Sequence, residues 1–258
     1  MLQHKGLIGI EVEVEKRTGI LEYAARDYPY PIEGTHWSSI RDGSLRNGIE
    51  FVLSMPLSGE KLLEAIDQLP KIVREVDLES PRTSTHIHCN VRDMSDKERA
   101  NFLLALLFFE QDLLGCNKRV DRTKSNFCLH TKNSSYVKTW QMAGIQTLEE
   151  LYRGRNLRTL AAEWPKYSAI NIKPVLTIGS FEVRTGECMV KKGELLRHVN
   201  RILLLKKFSQ KHTGEGSILE VLKVSNPRDI FKSSFRKSFI FSPAYENYNR
   251  VMDIIEGY

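Results

Sequence analysis

Acidic residues recur at every second position near the start of the chain. Within residues 7–15, Glu11 and Glu13 alternate with the apolar residues Ile10, Val12 and Val14. A period of two is typical of a β-strand with one polar face and one apolar face. Two carboxylates at alternate positions of one strand lie about 7 Å apart and repel each other unless a cation lies between or beside them. The pattern therefore indicates a binding site for a divalent cation.

Four further segments, residues 49–53, 85–92, 167–173 and 181–185, show the same alternation. Their polar positions carry side chains that bind metal ions or phosphate in proteins, namely Glu50, His86, His88, Asn90, Asn171, Glu182 and Arg184. Together with residues 7–15, these segments predict one antiparallel sheet. Carboxylates shared between two or three Mg²⁺ ions, with a single imidazole, fit a nucleoside triphosphate site.

Other interpretations of these residues exist. An acidic pair alone also fits a solvated strand edge, and His86 with His88 could bind zinc. The nearest further zinc ligand, Cys89, alternates onto the opposite face, and the joint appearance of several ligand types favours Mg²⁺ over both alternatives.

A turn signal, Asp42-Gly43, precedes the strand that carries Glu50. A carboxylate beside Glu50 can hold an ammonium group or accept a proton, so a catalytic role and a plain turn both remain open for Asp42.

Helices are predicted between the strands. Ser95 and Glu98 form a capping box before residues 102–114, and Gly115 ends that helix. The other predicted helices are 58–76, kinked or divided at Pro70, one after a second capping box at Thr147 and Glu150, a basic amphipathic helix over 192–211, and a last one from Ser242-Pro243 to about Ile255. The fold class is thus α+β.

Composition narrows the function classes. The chain has 258 residues and a formal charge of +6, which excludes an acidic solvating protein. Residues 117–173 hold 11 Lys and Arg against 4 Asp and Glu, and such a segment either contacts phosphate groups or is merely solvated. No apolar run is long enough to cross a membrane, no secretory signal is seen, and the four cysteines form no C-x-x-C pair. We expect a cytoplasmic protein with free thiols.

Six short segments, in this order, resemble the amidoligase family, which belongs with glutamine synthetase and gamma-glutamylcysteine ligase. They are GIEVE (9–13), DGSL (42–45), IEFVLSMPLSG (49–59), HIHCNV (86–91), YSAINI (167–172) and FEVRTGE (181–187). The resemblance extends from Leu7 to Glu187.

The resemblance implies a curved antiparallel sheet whose concave polar face binds ATP and two or three Mg²⁺ ions, with helices on the outer face, as in the glutamine synthetase catalytic fold. The implied metal ligands are Glu11, Glu13, Glu50, His88 and Glu182. His88 and Arg184 would also contact phosphate, and Asn171 would lie near the nucleotide. Lys166 stands where family members often have an arginine, which leaves its phosphate contact open.

The implied reaction joins a carboxylate to an amine. The carboxylate attacks the γ-phosphoryl group of ATP, the amine displaces phosphate from the acyl phosphate, and Asp42 orients the amine and takes its proton. Residues 117–135 would form a lid. The acceptor, a free amino acid, a peptide or an amine on a nucleic acid, stays open. The whole chain, 1–258, would be one catalytic domain with a helical C-terminal extension from about residue 192.

Two other functions remain possible from the residues alone. Clustered carboxylates and histidines also serve Mg²⁺-dependent nucleases and phosphodiesterases. A non-catalytic nucleic-acid-binding protein would use the basic helix 192–211, although four glutamates on one face would repel a phosphate backbone.

Overall fold

The computed structural model describes residues 1–2, 5–16, 27–46, 48–130 and 157–211. Within these ranges seven strands form one open, antiparallel sheet in the order β2-β3-β4-β1-β5-β7-β6. The strands are β1 (Ile8–Glu15), β2 (Tyr30–Pro31), β3 (Trp37–Ile40), β4 (Gly48–Leu53), β5 (Thr85–Asn90), β6 (Ile170–Asn171) and β7 (Ser180–Gly186). The strand with the alternating glutamates, β1, is central.

Five α-helices accompany the sheet in the described part of the chain. They are α1 (Gly59–Ile72), α2 (Asp96–Phe108), α3 (Glu110–Leu114), α4 (Leu157–Glu163) and α5 (Lys192–Lys211). The fold is therefore α+β, as predicted. None of these helices combines the length and the apolar character that a membrane crossing requires.

One face of the sheet is apolar and lies in the main hydrophobic core. Ile10 and Val12 of β1, Phe51 of β4, Ile87 of β5 and Val183 of β7 are all almost fully buried there. Residues of α1, α2 and α5 belong to the same core. The predicted division of each strand into an apolar and a polar face is confirmed. The polar face lies on the side of the sheet opposite this core and carries the candidate site.

The predicted basic helix forms as α5, with the predicted bounds. Its Lys206 is buried, and its ammonium group contacts both carboxylate oxygens of Asp93, at 2.7 and 2.8 Å, and the carbonyl oxygen of Asn90 at 2.8 Å. Lys192 at the other end pairs with Asp67 at 2.6 Å. Two of its cations thus hold the fold together and are not free for a phosphate backbone.

Element boundaries differ from the predictions at several points. Helix α1 ends at Ile72, before the predicted Val76, and Pro70 lies in its last turn without dividing it. The helix predicted to reach Leu114 breaks at Phe109, although the capping box of Ser95 and Glu98 is present.

The strand predicted over 167–173 pairs only at Ile170–Asn171, because the 3-10 helix Lys173–Leu176, with Pro174 in its first turn, follows at once. Strands β2 and β3 were not predicted. The helix signals at Thr147 and Ser242 lie outside the described residues.

Candidate active site

The polar side chains of the four central strands meet through the register of the sheet. Glu13 of β1 lies opposite Glu50 of β4, and Glu11 lies opposite His86 of β5. His88 lies opposite Glu182 of β7, which itself pairs with Asn171 of β6. Residues that are far apart in the sequence therefore form one continuous polar surface.

Glu11 is the centre of this surface because it contacts two histidines. Its carboxylate oxygens lie 3.1 Å from Nδ1 of His86 and 3.0 Å from Nε2 of His88. Burial alone would raise the pKa of Glu11, but hydrogen bonds and charge from both histidines outweigh it and hold the pKa well below its ordinary value. For His88, burial alone would lower the pKa, but contact with Glu11 raises it overall.

Two sets of possible metal ligands share Glu11. Ligand atoms of Glu11, Glu50 and His86 lie within 4.8 Å of one another, as do those of Glu11, His88 and Glu182. Oxygen and imidazole donors grouped in this way suit a divalent cation. Each of the two sets could thus hold one divalent cation, and Glu11 belongs to both.

The pKa of Glu50 reflects its burial and the negative charges that surround it. Burial, together with the negative charges of Glu11, Glu13 and Asp42, raises the pKa of Glu50 to about 9. A carboxyl group in such a place is protonated at neutral pH unless a cation offsets the neighbouring charges. The site is therefore electrostatically suited to divalent cations.

Glu182 is held by three neighbours. It accepts a hydrogen bond of 2.6 Å from the side-chain amide of Asn171, it pairs with Arg184, and it lies 3.5 Å from Nδ1 of His86. The amide oxygen of Asn171 accepts from the backbone N–H of Lys173 at 3.0 Å. Asn171 thus orients Glu182, and its predicted contact with a nucleotide stays a prediction.

Arg184 lies beside an irregularity in the sheet. The β5–β7 register changes between Ile87↔Val183 and Thr85↔Gly186, so that β7 carries one extra residue there. The guanidinium of Arg184 donates from Nε to the carbonyl oxygen of Phe127 at 3.1 Å and pairs with Glu182 through Nη1. It lies where it could contact a phosphate held near Glu182.

The remaining glutamates of β1 have structural partners. Glu13 is buried and accepts a short hydrogen bond from the hydroxyl of Ser84, and it lies outside both ligand sets. Glu15 accepts from the backbone N–H of Arg46 at 2.9 Å and from Ser80 Oγ at 2.7 Å. Only the first of the three alternating glutamates therefore joins the two ligand sets.

Asp42 and Lys166 are the two predicted site residues that lie outside the strands of the sheet. The Asp42 carboxylate accepts a hydrogen bond from the backbone N–H of Ser44 at 2.7 Å, which confirms the predicted turn. Its negative charge also contributes to the raised pKa of Glu50. Lys166 is exposed, and its ammonium group lies 5.6 Å from the centroid of the Tyr167 ring. The structure thus brings Asp42 near the ligands, whereas Lys166 is not among them.

The described part of the predicted lid, residues 117–130, is anchored to the end of β7. The buried carboxylate of Glu187 accepts from the backbone N–H groups of Lys118, Arg119 and Val120, at 3.2, 2.8 and 3.1 Å. Arg119 also pairs with Glu187 and with Glu194, and Arg122 is buried. Some basic side chains of this segment therefore have structural partners. Residues 131–135 of the predicted lid lie outside the described ranges.

The four cysteines are free thiols, as predicted. Burial raises the pKa of Cys89 and Cys188 to about 12 and that of Cys128 to about 11. Thiols in this state are poor nucleophiles at neutral pH.

Some residues of the site were missed by sequence reasoning. His86 was considered as a zinc ligand but was not included among the predicted Mg²⁺ ligands, although it belongs to one of the two ligand sets. Ser84, which contacts both Glu13 and His86, stands outside the alternating segment that was recognised. Glu187 lies in a recognised motif, but its partners are backbone groups that no local pattern indicates.

The comparison with known protein families covers most of this site. Residues 41–203 match the family model described as "Putative amidoligase enzyme", a range that includes Glu50, His88, Glu182 and Arg184 but not Glu11. No curated protein matches the chain. The family match spans more than half of the sequence, and we conclude that the chain belongs to the amidoligase family.

Proposed function

We propose that this protein is an ATP- and Mg²⁺-dependent ligase that joins a carboxylate to an amine through an acyl phosphate. The observation that carries the proposal is the position of Glu11, which belongs to both ligand sets on the polar face, with Arg184 beside the second set. Two adjacent cations and a guanidinium would stabilise the negative charge that develops when a phosphoryl group is transferred to a carboxylate.

In this proposal each ligand set would hold one cation. Glu11 with Glu50 and His86 would hold one cation, and Glu11 with His88 and Glu182 would hold the other. Bound Mg²⁺ would offset the negative charge of the ATP phosphates and of the substrate carboxylate, which otherwise repel each other.

Arg184 would stabilise the transferring phosphoryl group. Its guanidinium is mostly buried and fixed by Glu182 and by the carbonyl of Phe127, so that it is oriented before ATP binds. A preoriented charge requires no rearrangement at the transition state, which makes it more effective than a mobile one. Transfer breaks the bond between the γ-phosphorus and the β,γ-bridging oxygen and forms a phosphorus–oxygen bond to the carboxylate.

Asp42 would serve the second half of the reaction. The amine reaches the acyl phosphate as a neutral nucleophile only after it has lost a proton. One oxygen of the Asp42 carboxylate accepts from Ser44 within the turn, and the carboxylate lies close enough to influence the pKa of Glu50. The carboxylate of Asp42 would take the first proton from the ammonium group, and phosphate would leave with the second as the carbon–nitrogen bond forms.

A direct experiment tests the proposal. Purified protein is incubated with MgATP and pooled amino acids, diamines, short peptides and DNA, and ADP, phosphate and new amides are measured, the last by mass spectrometry. We expect ADP release that requires both a carboxylate and an amine. Glu182→Gln should abolish it, because the second ligand set would lose a charged oxygen donor.

Two outcomes would favour another function. Mg²⁺-dependent cutting of DNA or RNA without ATP consumption would make the same carboxylates a nuclease site. Binding of nucleic acid without ADP release or cleavage would favour a binding protein. Amide formation on DNA would retain the ligase function and identify a nucleic-acid acceptor.

A further inference from the structure

A first cavity opens directly beside the second ligand set. It has a volume of about 290 Å³, and Glu11 and His88 belong to its lining. Met55, Pro56 and Ile178 line it as well, and Met55 and Ile178 are exposed. A ligand bound to cations at Glu11 and His88 would therefore extend along an apolar wall.

A second, larger cavity of about 620 Å³ adjoins the first. Three arginines, Arg92, Arg99 and Arg158, line it together with one acidic residue, Asp96. Arg99 pairs with Asp96 at 3.0 Å, so Asp96 does not offset the positive charges of Arg92 and Arg158. The second cavity is therefore cationic.

Arg92 lines both cavities. The segment 177–180 separates them, because Thr177 and Gly179 line the second cavity whereas Ile178 and Ser180 line the first. Arg92 is therefore accessible from both cavities.

Gly179 provides the space for the Arg92 side chain. A Cβ atom on Gly179 would lie 2.2 Å from Nε and 2.5 Å from Cγ of Arg92, and the φ of Gly179 is +69°. Glycine meets both demands, because it has no Cβ atom and adopts positive φ without strain. The arginine stem thus lies directly against the backbone between the cavities.

The turn that carries Arg92 is fixed by the buried ammonium group of Lys206. This group contacts the carbonyl oxygen of Asn90 at 2.8 Å and the carboxylate of Asp93 at 2.7 Å. Asn90 also donates from its side-chain amide to Asp93 at 3.1 Å. The residues on both sides of Arg92 are therefore anchored, and its guanidinium extends from a rigid base.

The guanidinium of Arg92 retains most of its hydrogen-bonding capacity. Within the described part of the chain, its side chain makes one hydrogen bond, a long contact of 3.5 Å from Nη2 to the carbonyl of Thr177. Across the described ranges no carboxylate pairs with Arg92 or with the exposed Arg158. An arginine carries five N–H donors suited to an oxyanion, and here nearly all remain available to a ligand.

We propose that the carboxylate substrate is an elongated acid with a second oxyanion group at its far end, which binds Arg92. The reacting carboxyl group would lie at Glu11 and His88, and the apolar middle part would pack against Met55 and Ile178. Arg92 follows His88 by four positions, which span at most about 13 Å of extended chain, and because the strand ends at Asn90 the two acidic groups would be roughly 10 Å apart. This inference rests on the ligase function proposed above, and the distal group is a carboxylate or a phosphate.

Binding measurements on the full chain test the proposal. Linear dicarboxylates of increasing length, from glutarate to dodecanedioate, are titrated in the presence of Mg²⁺ by ligand-observed NMR, with monocarboxylates of the same length as references. We expect one length of dicarboxylate to bind about tenfold more tightly than its monocarboxylate reference. Phosphonocarboxylates of that length identify which oxyanion is preferred.

Arg92→Gln is the decisive variant. It should reduce the preference for the dicarboxylate to about twofold or less while the affinity for the monocarboxylate stays unchanged. Arg74→Gln is the matched control, since Arg74 is exposed, donates to the carbonyl of Lys71, and lines neither cavity. Thermal unfolding at the wild-type temperature verifies that Arg92→Gln is folded.

Several results would overturn the proposal. These are the absence of a dicarboxylate preference in the wild type, an unchanged preference in Arg92→Gln, or an equal loss of both affinities. A weaker affinity for an ATP analogue, without a change in the dicarboxylate preference, would assign Arg92 to the nucleotide instead. The titrations need no turnover, so an Arg92-dependent preference without ADP release would leave the anion site standing and refute the ligase function.

Discussion

Gly9 lies directly opposite His88 in the pairing of β1 with β5, and a Cβ atom on Gly9 would come within 3.3 Å of the His88 Cβ. Such a contact is closer than neighbouring Cβ groups normally tolerate, so the position of His88 depends on the absence of a side chain at residue 9. Glu11 follows two positions later on the same face and contacts His88 at 3.0 Å. The glycine of the first motif thus belongs to the site.

Gly9→Ala is expected to lower MgATP turnover about tenfold, because a small displacement of a ligand side chain strongly reduces catalysis. The free energy of unfolding should change by less than about 1 kcal/mol, since alanine is well tolerated in a strand. Gly193→Ala is the matched control, because a Cβ there would meet only the end of the Arg197 side chain. Equal turnover in the two variants would contradict the proposed role of Gly9.

The two faces of β7 should respond differently to substitution. Glu182→Gln, on the polar face, is expected to abolish ADP release and to destabilise the protein less than a charge in the core does, because the Gln side chain can still accept a hydrogen bond from Asn171. Val183→Asp, on the apolar face where Val183 is fully buried, should destabilise the protein by about 3–5 kcal/mol through an unpaired buried charge. Urea unfolding together with an ADP assay separates the two effects, and similar behaviour of both variants would refute the assignment of faces.

His198 should make the protein less stable in acid. Its ring is fully buried in α5, Arg201 is the charged group that acts on it, and neither ring nitrogen has a hydrogen-bond partner within the described ranges. Burial, and to a lesser extent Arg201, lowers the pKa of His198 from 6.5 to about 3. The unfolded chain therefore binds a proton below pH 6.5 that the folded protein does not accept.

This contribution to stability is complete above pH 6.5 and is lost as the pH falls toward 3. Relative to His198→Leu, the wild type should lose up to about 1.4 kcal/mol of unfolding free energy per pH unit in that interval. Urea unfolding at several pH values measures the difference. Parallel pH profiles of the two proteins would show that His198 is not the group responsible.

The polar face was predictable because a strand places alternate residues on opposite sides. Glu11, Glu50, His88 and Glu182 could be assigned to one face from spacing alone, and the structure brings them together. The roles that family resemblance implies for them stay predictions.

Features that depend on pairing between distant segments were not predictable. The extra residue of β7 near Arg184 exists only relative to β5. Strand β3 was missed because its serines, Ser38 and Ser39, interrupt the apolar pattern, although tertiary packing buries both. The basic residues after Asn117 suggested phosphate contacts, whereas Arg119 pairs with Glu187 and Glu194, which are 68 and 75 residues away in the sequence.

Glu187 provides a test of how the loop after α3 is held. Its buried carboxylate accepts three backbone hydrogen bonds and pairs with Arg119 at 3.0 Å. Glu187→Ala should lower the free energy of unfolding by about 3 kcal/mol, because three N–H groups and a guanidinium would lose their acceptor. Urea unfolding gives this value, and hydrogen exchange of residues 118–120 should become faster.

Glu194→Ala is the control for Glu187→Ala, since Glu194 contacts the same guanidinium at 2.9 Å but is partly exposed and accepts no backbone hydrogen bond from this loop. It should cost about 1 kcal/mol or less, as partly exposed ion pairs do. A comparable loss of stability in both variants would mean that the ion pairs of Arg119, and not the backbone bonds to Glu187, anchor the loop. A large loss in Glu187→Ala alone would establish Glu187 as the anchor that joins this loop to the end of β7 beside Arg184.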